Sequence, residues 1–389
     1  MSDFTQITRL KHGLTQLKAD DLLRSRSLLE SPQGVHVRVN GRDVVSFCSN
    51  DYLGLANDPA LIAATRESLE QCGVGAGASH LITGHHQLHE AFETAFASFI
   101  GKPAALLFST GYMANLGVMT ALLDRHGEVF ADKLNHASLN DAARLCGAKF
   151  SRYAHGALDQ LEGQLTRSTA RDKLIVSDLV FSMDGDIVDV ERLLSLAERH
   201  DAWLYLDDAH GFGMLNDGRG GLTEAARNSD RVIYLATLGK AAGVFGAAVA
   251  AHETVIQWLV QKARPYVYTT AMPPLLCGAL LESLRLIETG AARREVLRAH
   301  VMALRQGLVD LPGWQLIPSG TPIQPLVIGS NVDAVNVSKK LLERDLLVPA
   351  IRTPTVPKGT ARLRITLSSA HGDDDIARLI AALGEIAGA

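Results

Sequence analysis

Between residues 104 and 251 the chain repeats one pattern, a short run of consecutive apolar residues followed by a longer stretch with helical spacing. The runs are AALLF (104–108), EVFAD (128–132), KFSRY (149–153), KLIVSDLVF (173–181), AWLYLDD (202–208), RVIYLAT (231–237) and GAAVAA (246–251). Apolar runs that do not alternate predict strands buried on both faces. With helices between them, they predict an α/β fold with a mostly parallel sheet covered on both sides. Upstream, residues 3–30 combine helical spacing with mixed charge (LTQLKADDLLRSRSLLE) and predict an arm helix. GVHVRVNGRDVVSF then alternates around Asn40-Gly41, which predicts a hairpin. Residues 275–310 read as helix. TPIQPLVIG, LLVPAIRTPTV and ARLRITLSS predict the strands of a smaller α+β domain, with a helix between the first two and another at the end. The expected division is an N-terminal helix and hairpin arm (1–48), a large α/β domain (49–285) and a small C-terminal α+β domain (286–389).

Composition changes this picture little. Of 389 residues, 47% are hydrophobic and 21% charged, with a net charge of −4, which is enough apolar material for a large core. No run of basic residues points to nucleic acid. Cys48, Cys72, Cys146 and Cys277 are scattered without a CxxC pair, so reduced thiols are expected, not a disulfide frame or a zinc site. The first residues lack the apolar core of a signal peptide. The longest apolar run, around Lys240, is too short to cross a bilayer. A cytoplasmic protein with no membrane partner is expected.

That run raises the chemical question. In YLATLGKAAGVFGAAVAA (234–251) a single lysine stands among small and apolar residues. Desolvating an unpaired ammonium costs several kcal/mol, so Lys240 has a partner, reaches water, or is not an ammonium. Other strand ends also carry polar groups, where open α/β sheets collect their ligands. Asp207 and His210 follow AWLYL; they fit a capped turn, part of a metal site, or a carboxylate set against a cationic ring nitrogen. His136 follows another strand, and a lone histidine there is more often structural than catalytic. Ser182 ends another run. FSTGYMANLG (108–117) offers the Gly111 and Tyr112 amides at a helix start, a site for phosphate.

Three competing motifs fail. GVGAGA (73–78) follows a helical segment, not the strand a dinucleotide fingerprint needs, and reads instead as a flexible loop lining a site. LGKAA lacks the upstream glycine and the Ser or Thr of a phosphate-binding loop, and no GxSxG elbow occurs. An aldehyde cofactor with a pyridine ring and a phosphate, pyridoxal 5'-phosphate, would use every remaining piece. Lys240 would form an imine with it, Asp207 would keep its ring nitrogen protonated, and Gly111, Tyr112 and Thr237 would hold its phosphate.

At this point the sequence resembles the α-oxoamine synthases, pyridoxal-phosphate enzymes of fold type I, the aspartate aminotransferase-like fold. The likeness runs from SNDYLGL (49–55) through STGYMAN, NHASL, FSMDGD, DDAHGFG, TLGKAAG and YTTAMPP to IRTPTVPKGTARLRITLSSAH (351–371). It implies catalytic roles for Lys240, His136, Asp207 and His210, with His210 at the ring hydroxyl, Ser182 nearby and His136 stacked on the ring. It also implies a homodimer with shared sites, in which Thr269 from the second subunit joins the phosphate. Arg364 is expected on the amino-acid carboxylate, Asn50 on the substrate side, and Arg24 and Thr355 toward the acyl substrate. The C-terminal string and compact length resemble most the members that condense L-alanine with a pimeloyl thioester, carried by coenzyme A or acyl carrier protein, with loss of CO2. Members that use glycine or serine are the rivals. The family loop resembling GSGGSR here reads GAGASH, and the departure touches Ala76, Ala78 and His80.

Overall fold

The computed structural model describes residues 5–20, 22–309 and 311–388, so the first two residues of the predicted arm helix, 3 and 4, lie outside the described residues. Strands β1 (His36–Val39) and β2 (Arg42–Ser46) form the expected hairpin. Asn40 and Gly41 both take positive φ (50° and 78°), as a two-residue turn matched to strand twist demands.

The seven apolar runs become β3 (Ala104–Phe108), β4 (Gly127–Asp132), β5 (Lys149–Tyr153), β6 (Asp172–Asp178), β7 (Trp203–Asp207), β8 (Val232–Thr237) and β9 (Ala247–Ala251). They form one sheet in the order β3-β9-β8-β7-β6-β4-β5. The five strands from β8 to β5 are parallel, while β9 runs antiparallel to both of its neighbours. Each face has its own core. Leu106, Val129, Leu174, Tyr205, Ile233 and Val249 point one way, and Leu107, Phe130, Ile175, Leu204, Tyr234 and Ala248 the other. Two buried faces leave no polar face to alternate with, which is why the runs are continuous. Each large aliphatic side chain so buried contributes about 1.5–3 kcal/mol.

A second sheet, β10 (Gln315–Leu316), β11 (Ile323–Gly329), β13 (Ala350–Ile351) and β14 (Ala361–Thr366), has the order β10-β11-β14-β13. The remaining strand, β12 (Leu346–Leu347), pairs in parallel with β2. Three expectations are corrected. The arm helix spans only Thr5–Ala19, because Leu28–Glu30 are drawn to the hairpin edge: Leu28 N–H donates to Asn40 Oδ1 (2.8 Å) and Glu30 N–H to the Arg38 carbonyl (2.8 Å). LLVPAIRTPTV is not one strand; it divides around Pro349, which lacks an N–H, into pieces that join different sheets. KLIVSDLVF stops at Asp178, where the chain turns and Val180 bridges back to Ile187.

Candidate active site at the carboxyl ends of the strands

A cavity of about 280 Å³ opens at the carboxyl ends of the parallel strands, and Lys240, Asp207, His210, His136, Ser182, Thr237, Gly111 and Tyr112 all line it. Lys240 sits in the reversal 238–246 that joins β8 to β9. Hydrogen bonds from Leu238 N–H to the Gly246 carbonyl (2.8 Å) and from Gly243 N–H to the Lys240 carbonyl (2.8 Å) tie this segment. The amine lies 3.0 Å from His210 Nε2, and His210 Nδ1 lies 2.6 Å from the Tyr52 hydroxyl. Burial pushes the Lys240 amine down to about 8, against the opposing pull of Asp207. Burial, then the Lys240 charge, holds His210 well below the usual imidazole range, so it stays neutral.

Asp207 is buried at the end of β7. Its Oδ2 accepts from Asn115 Nδ2 (2.9 Å) and its Oδ1 from Ala209 N–H (3.1 Å). The Tyr205 hydroxyl donates to Asn115 Oδ1 (2.6 Å), which fixes the amide so that its NH2 faces the carboxylate. His136 caps the helix Ala137–Leu145. Its Nδ1 lies 2.7 Å from Ser138 Oγ, and its backbone N–H donates to Asp178 Oδ2 (2.6 Å). Burial lowers the His136 pKa, with Asp207 pulling the other way.

At the other side of the cavity Thr110 caps the helix Gly111–Leu122 by accepting the Met113 N–H (3.1 Å). The N–H groups of the first turn have no partner within the helix and form an anion cradle. A Cβ on Gly111 would stand 2.7 Å from Thr237 Cγ2, so only glycine leaves this cradle open. The Tyr112 hydroxyl points away to Asp141 Oδ2 (2.9 Å).

Arg364, buried on β14, reaches the rim. Its Nε donates to the Ser182 carbonyl (2.6 Å), and both terminal nitrogens lie 3.2 Å from Asn50 Oδ1. Its hydrogen-bond acceptors, the Ser182 carbonyl, Asn50 Oδ1 and Thr366 Oγ1, are all neutral, which leaves its charge available for a carboxylate. Five sequence candidates do not line this cavity within one chain: Arg364 and Asn50 stop at its rim beside Ser182, Arg24 and Thr355 are exposed, and Thr269 is half-buried. No residue of the 73–80 loop lines it either.

Sequence reasoning missed Asp178, Tyr52, Asn115 and Ser138. Asp178 is buried beside Asp207 and Lys240, and burial, then the Asp207 charge, raises its pKa well above the carboxylate range. A polar residue inside KLIVSDLVF was the available signal, since an aspartate rarely sits within a buried strand.

The residues fit a pyridine aldehyde phosphate: an amine to bind the aldehyde, a buried carboxylate for a ring nitrogen, a neutral histidine beside the amine, and a glycine-floored amide cradle. Fold and site together define a pyridoxal-phosphate-dependent enzyme of fold type I. The chain belongs to the aminotransferase class I and II family, whose description matches residues 42–383, and within it to the 8-amino-7-oxononanoate synthases. It is 68% identical to the 8-amino-7-oxononanoate synthase of Thiobacillus denitrificans over 98% of this chain and 99% of that one. Among solved structures it resembles the serine palmitoyltransferase of Sphingomonas wittichii (28% identity, TM-score 0.90, 99% of this chain and 97% of that one). It also resembles the 8-amino-7-oxononanoate synthase of Francisella tularensis (31% identity, TM-score 0.75, 88% and 97%). The protein is an acyltransferase whose cofactor is pyridoxal phosphate.

Proposed function

We propose that this protein condenses L-alanine with a pimeloyl thioester, of coenzyme A or acyl carrier protein, to give 8-amino-7-oxononanoate, CO2 and the free thiol. The carrying observation is the Lys240 amine, lowered to about 8 and held 3.0 Å from a neutral His210 beside the buried Asp207. When bound, the cofactor supplies an electron sink for the pair left on the amino-acid Cα. Lys240 takes the Cα proton; an amine with a pKa near the working pH suits that transfer. Asp207 holds a proton on the cofactor's ring nitrogen, and His210, paired with Tyr52, orients Lys240 from the other side. The Gly111 and Tyr112 amides, with Thr237, anchor the phosphate.

Arg364 and Asn50 hold the alanine carboxylate, a task suited to a planar guanidinium. A new C–C bond then forms between the alanine Cα and the thioester carbonyl carbon as the C–S bond breaks. His136, at the cavity mouth, donates a proton to the oxygen derived from that carbonyl. The carboxylate leaves as CO2, and Cα regains a proton. Thr269 of a second copy completing the phosphate site, and Arg24 and Thr355 meeting the acyl chain, belong to the same proposal. So do a homodimer and a cytoplasmic location. Among the described residues no helix is long and apolar enough to cross a membrane.

The test is the product mass from purified enzyme given alanine, glycine or serine with pimeloyl-, acetyl-, succinyl- and palmitoyl-CoA. Alanine with pimeloyl-CoA should give the 8-amino-7-oxononanoate mass at the highest rate. A preference for glycine or serine would overturn the assignment, since one methyl group is worth only about 1–3 kcal/mol in a pocket.

A further inference from the structure

Three histidines meet just beyond the GAGASH loop. The turn His80–Gly84 closes with Gly84 N–H donating to the Ser79 carbonyl (3.0 Å), an i→i+5 bond that brings residues 80 and 85 side by side. Such a turn is uncommon and recurs at functional sites. It needs the glycine, because a Cβ on Gly84 would lie 2.1 Å from the Ala78 carbonyl oxygen. The helix Gln87–Ile100 starts directly afterwards, capped by His86, and its first turn carries His89 back toward His85. The three rings form a triangle, with centroids 5.2 Å apart for His80–His85, 4.9 Å for His80–His89 and 5.4 Å for His85–His89. One ring nitrogen from each lies within 4.8 Å of the other two.

We propose that His80, His85 and His89 bind one divalent transition-metal ion of the zinc class, with water in the fourth position. Three imidazoles on a small triangle suit the N-donor, tetrahedral preference of such an ion. Metal-binding imidazoles nearly always give their other N–H to a carbonyl or carboxylate, and two of these rings already do so. His89 Nε2 lies 2.8 Å from the Met272 carbonyl, and His85 Nε2 lies 3.3 Å from Glu90 Oε2. With those protons placed on Nε2, both Nδ1 atoms carry lone pairs. His80 Nδ1 is 2.9 Å from His85 Nδ1, so His80 is the donor of that pair and switches to its other tautomer when the ion enters. Stacking on Tyr266 (4.6 Å, 11°) holds the His80 ring in place.

Binding costs two existing contacts, the first being the His80–His85 hydrogen bond. His89 Nδ1 now accepts the His86 N–H (2.9 Å), a hydrogen bond the ion must replace, so the site is weaker than a preformed three-histidine centre. The ion would pin residues 78–89 to the wall of the active site. The Ala78 carbonyl accepts from Ala271 N–H (2.9 Å), and the sulfur of Met272 stands 3.2 Å from where a Cβ on Gly246, a cavity-lining residue, would be.

The test uses chelator-stripped, full-length, cofactor-loaded protein titrated with Zn2+ by calorimetry and with Co2+ by visible absorption. The expected result is one ion per chain, with micromolar or tighter affinity and the intense bands of tetrahedral cobalt. His85→Ala, at a half-buried position, should weaken binding by roughly 10–100-fold or more, and His80→Gln likewise, while exposed His126→Ala leaves it unchanged. Stoichiometric binding that survives in the His80→Gln/His85→Ala double variant, or no binding by the folded wild type, overturns the site. The readout is metal, so this result stands apart from whichever substrate the enzyme prefers.

Discussion

The two ends of the seven-stranded sheet differ in a way that size alone misrepresents. At the amino ends lies a cleft of about 810 Å³ bordered by Trp203, Trp258, Arg171, Asp172 and Asp124, far larger than the 280 Å³ cavity at the carboxyl ends. Its charges are spent on one another, for Arg171 pairs with Asp172 at 2.7 Å and with Asp124 at 3.5 Å in open solvent. At the carboxyl ends Asp207, Asp178, His210 and Lys240 are crowded together away from water, and burial is the chief cause of the pKa shifts of Asp178, His210 and Lys240. Chemistry follows desolvated, incompletely paired groups and not empty volume. Strand direction decides which end receives them.

Substitutions at the carboxyl ends should therefore abolish turnover while leaving the fold, and those at the amino ends should leave both intact. Lys240→Ala should lower kcat by ~10⁴-fold, the upper range for a general base, and remove the visible band of lysine-bound cofactor, with circular dichroism unchanged. Asp207→Asn should cost ~10²–10³-fold in kcat with cofactor retained, because an amide cannot hold the ring nitrogen protonated. Near-normal turnover would break the assignment. Arg364→Lys should raise KM for alanine by roughly 10–100-fold, since it loses the forked, charge-assisted contact, and should leave the cofactor spectrum alone.

A subtler contrast lies within the carboxyl end. His155 bridges Asp132 (3.1 Å) and Asp186 (3.0 Å), and those hydrogen bonds raise it to about 10. A raised histidine stabilises the fold fully below about pH 6.5, its unfolded value, and loses that contribution as pH climbs toward 10. His155→Gln should thus cost about 1 kcal/mol at pH 6, after screening by water, and almost nothing at pH 10, as read by urea unfolding. Arg171→Ala at the opposite end should leave turnover within about twofold. A large loss there would erase the distinction between the two ends.

Much of this was legible in the sequence, for reasons that differ by residue. AALLF gave β3 to the residue because a short run buried on both faces leaves one possible reading. Lys240, Asp207 and His210 stood out because a charge at the end of an apolar run has no structural excuse. Asp178 was hidden by the opposite effect, since the apolar residues after it made the strand look longer than it is. Tyr52 and Asn115 could not be read at all. Their roles come from segments far apart in sequence, Tyr52 meeting His210 and Asn115 meeting Asp207 only after the chain has folded. Leu22, Leu23, Leu28 and Leu29 continued the helical stripe of the arm, yet the hairpin edge offered residues 28–30 backbone partners that a lone helix could not.

The antiparallel course of β9 has a consequence for the lysine. Because the chain doubles straight back after Lys240, the lysine stands on a short bridge anchored at both ends in the middle of the sheet, with Gly243 wedged 2.6 Å, measured to a Cβ, from the Ala56 nitrogen. The hydrogen bonds that hold this bridge, Leu238 to Gly246 and Gly243 to Lys240, are all backbone, so the amine can change partners without any of them being broken.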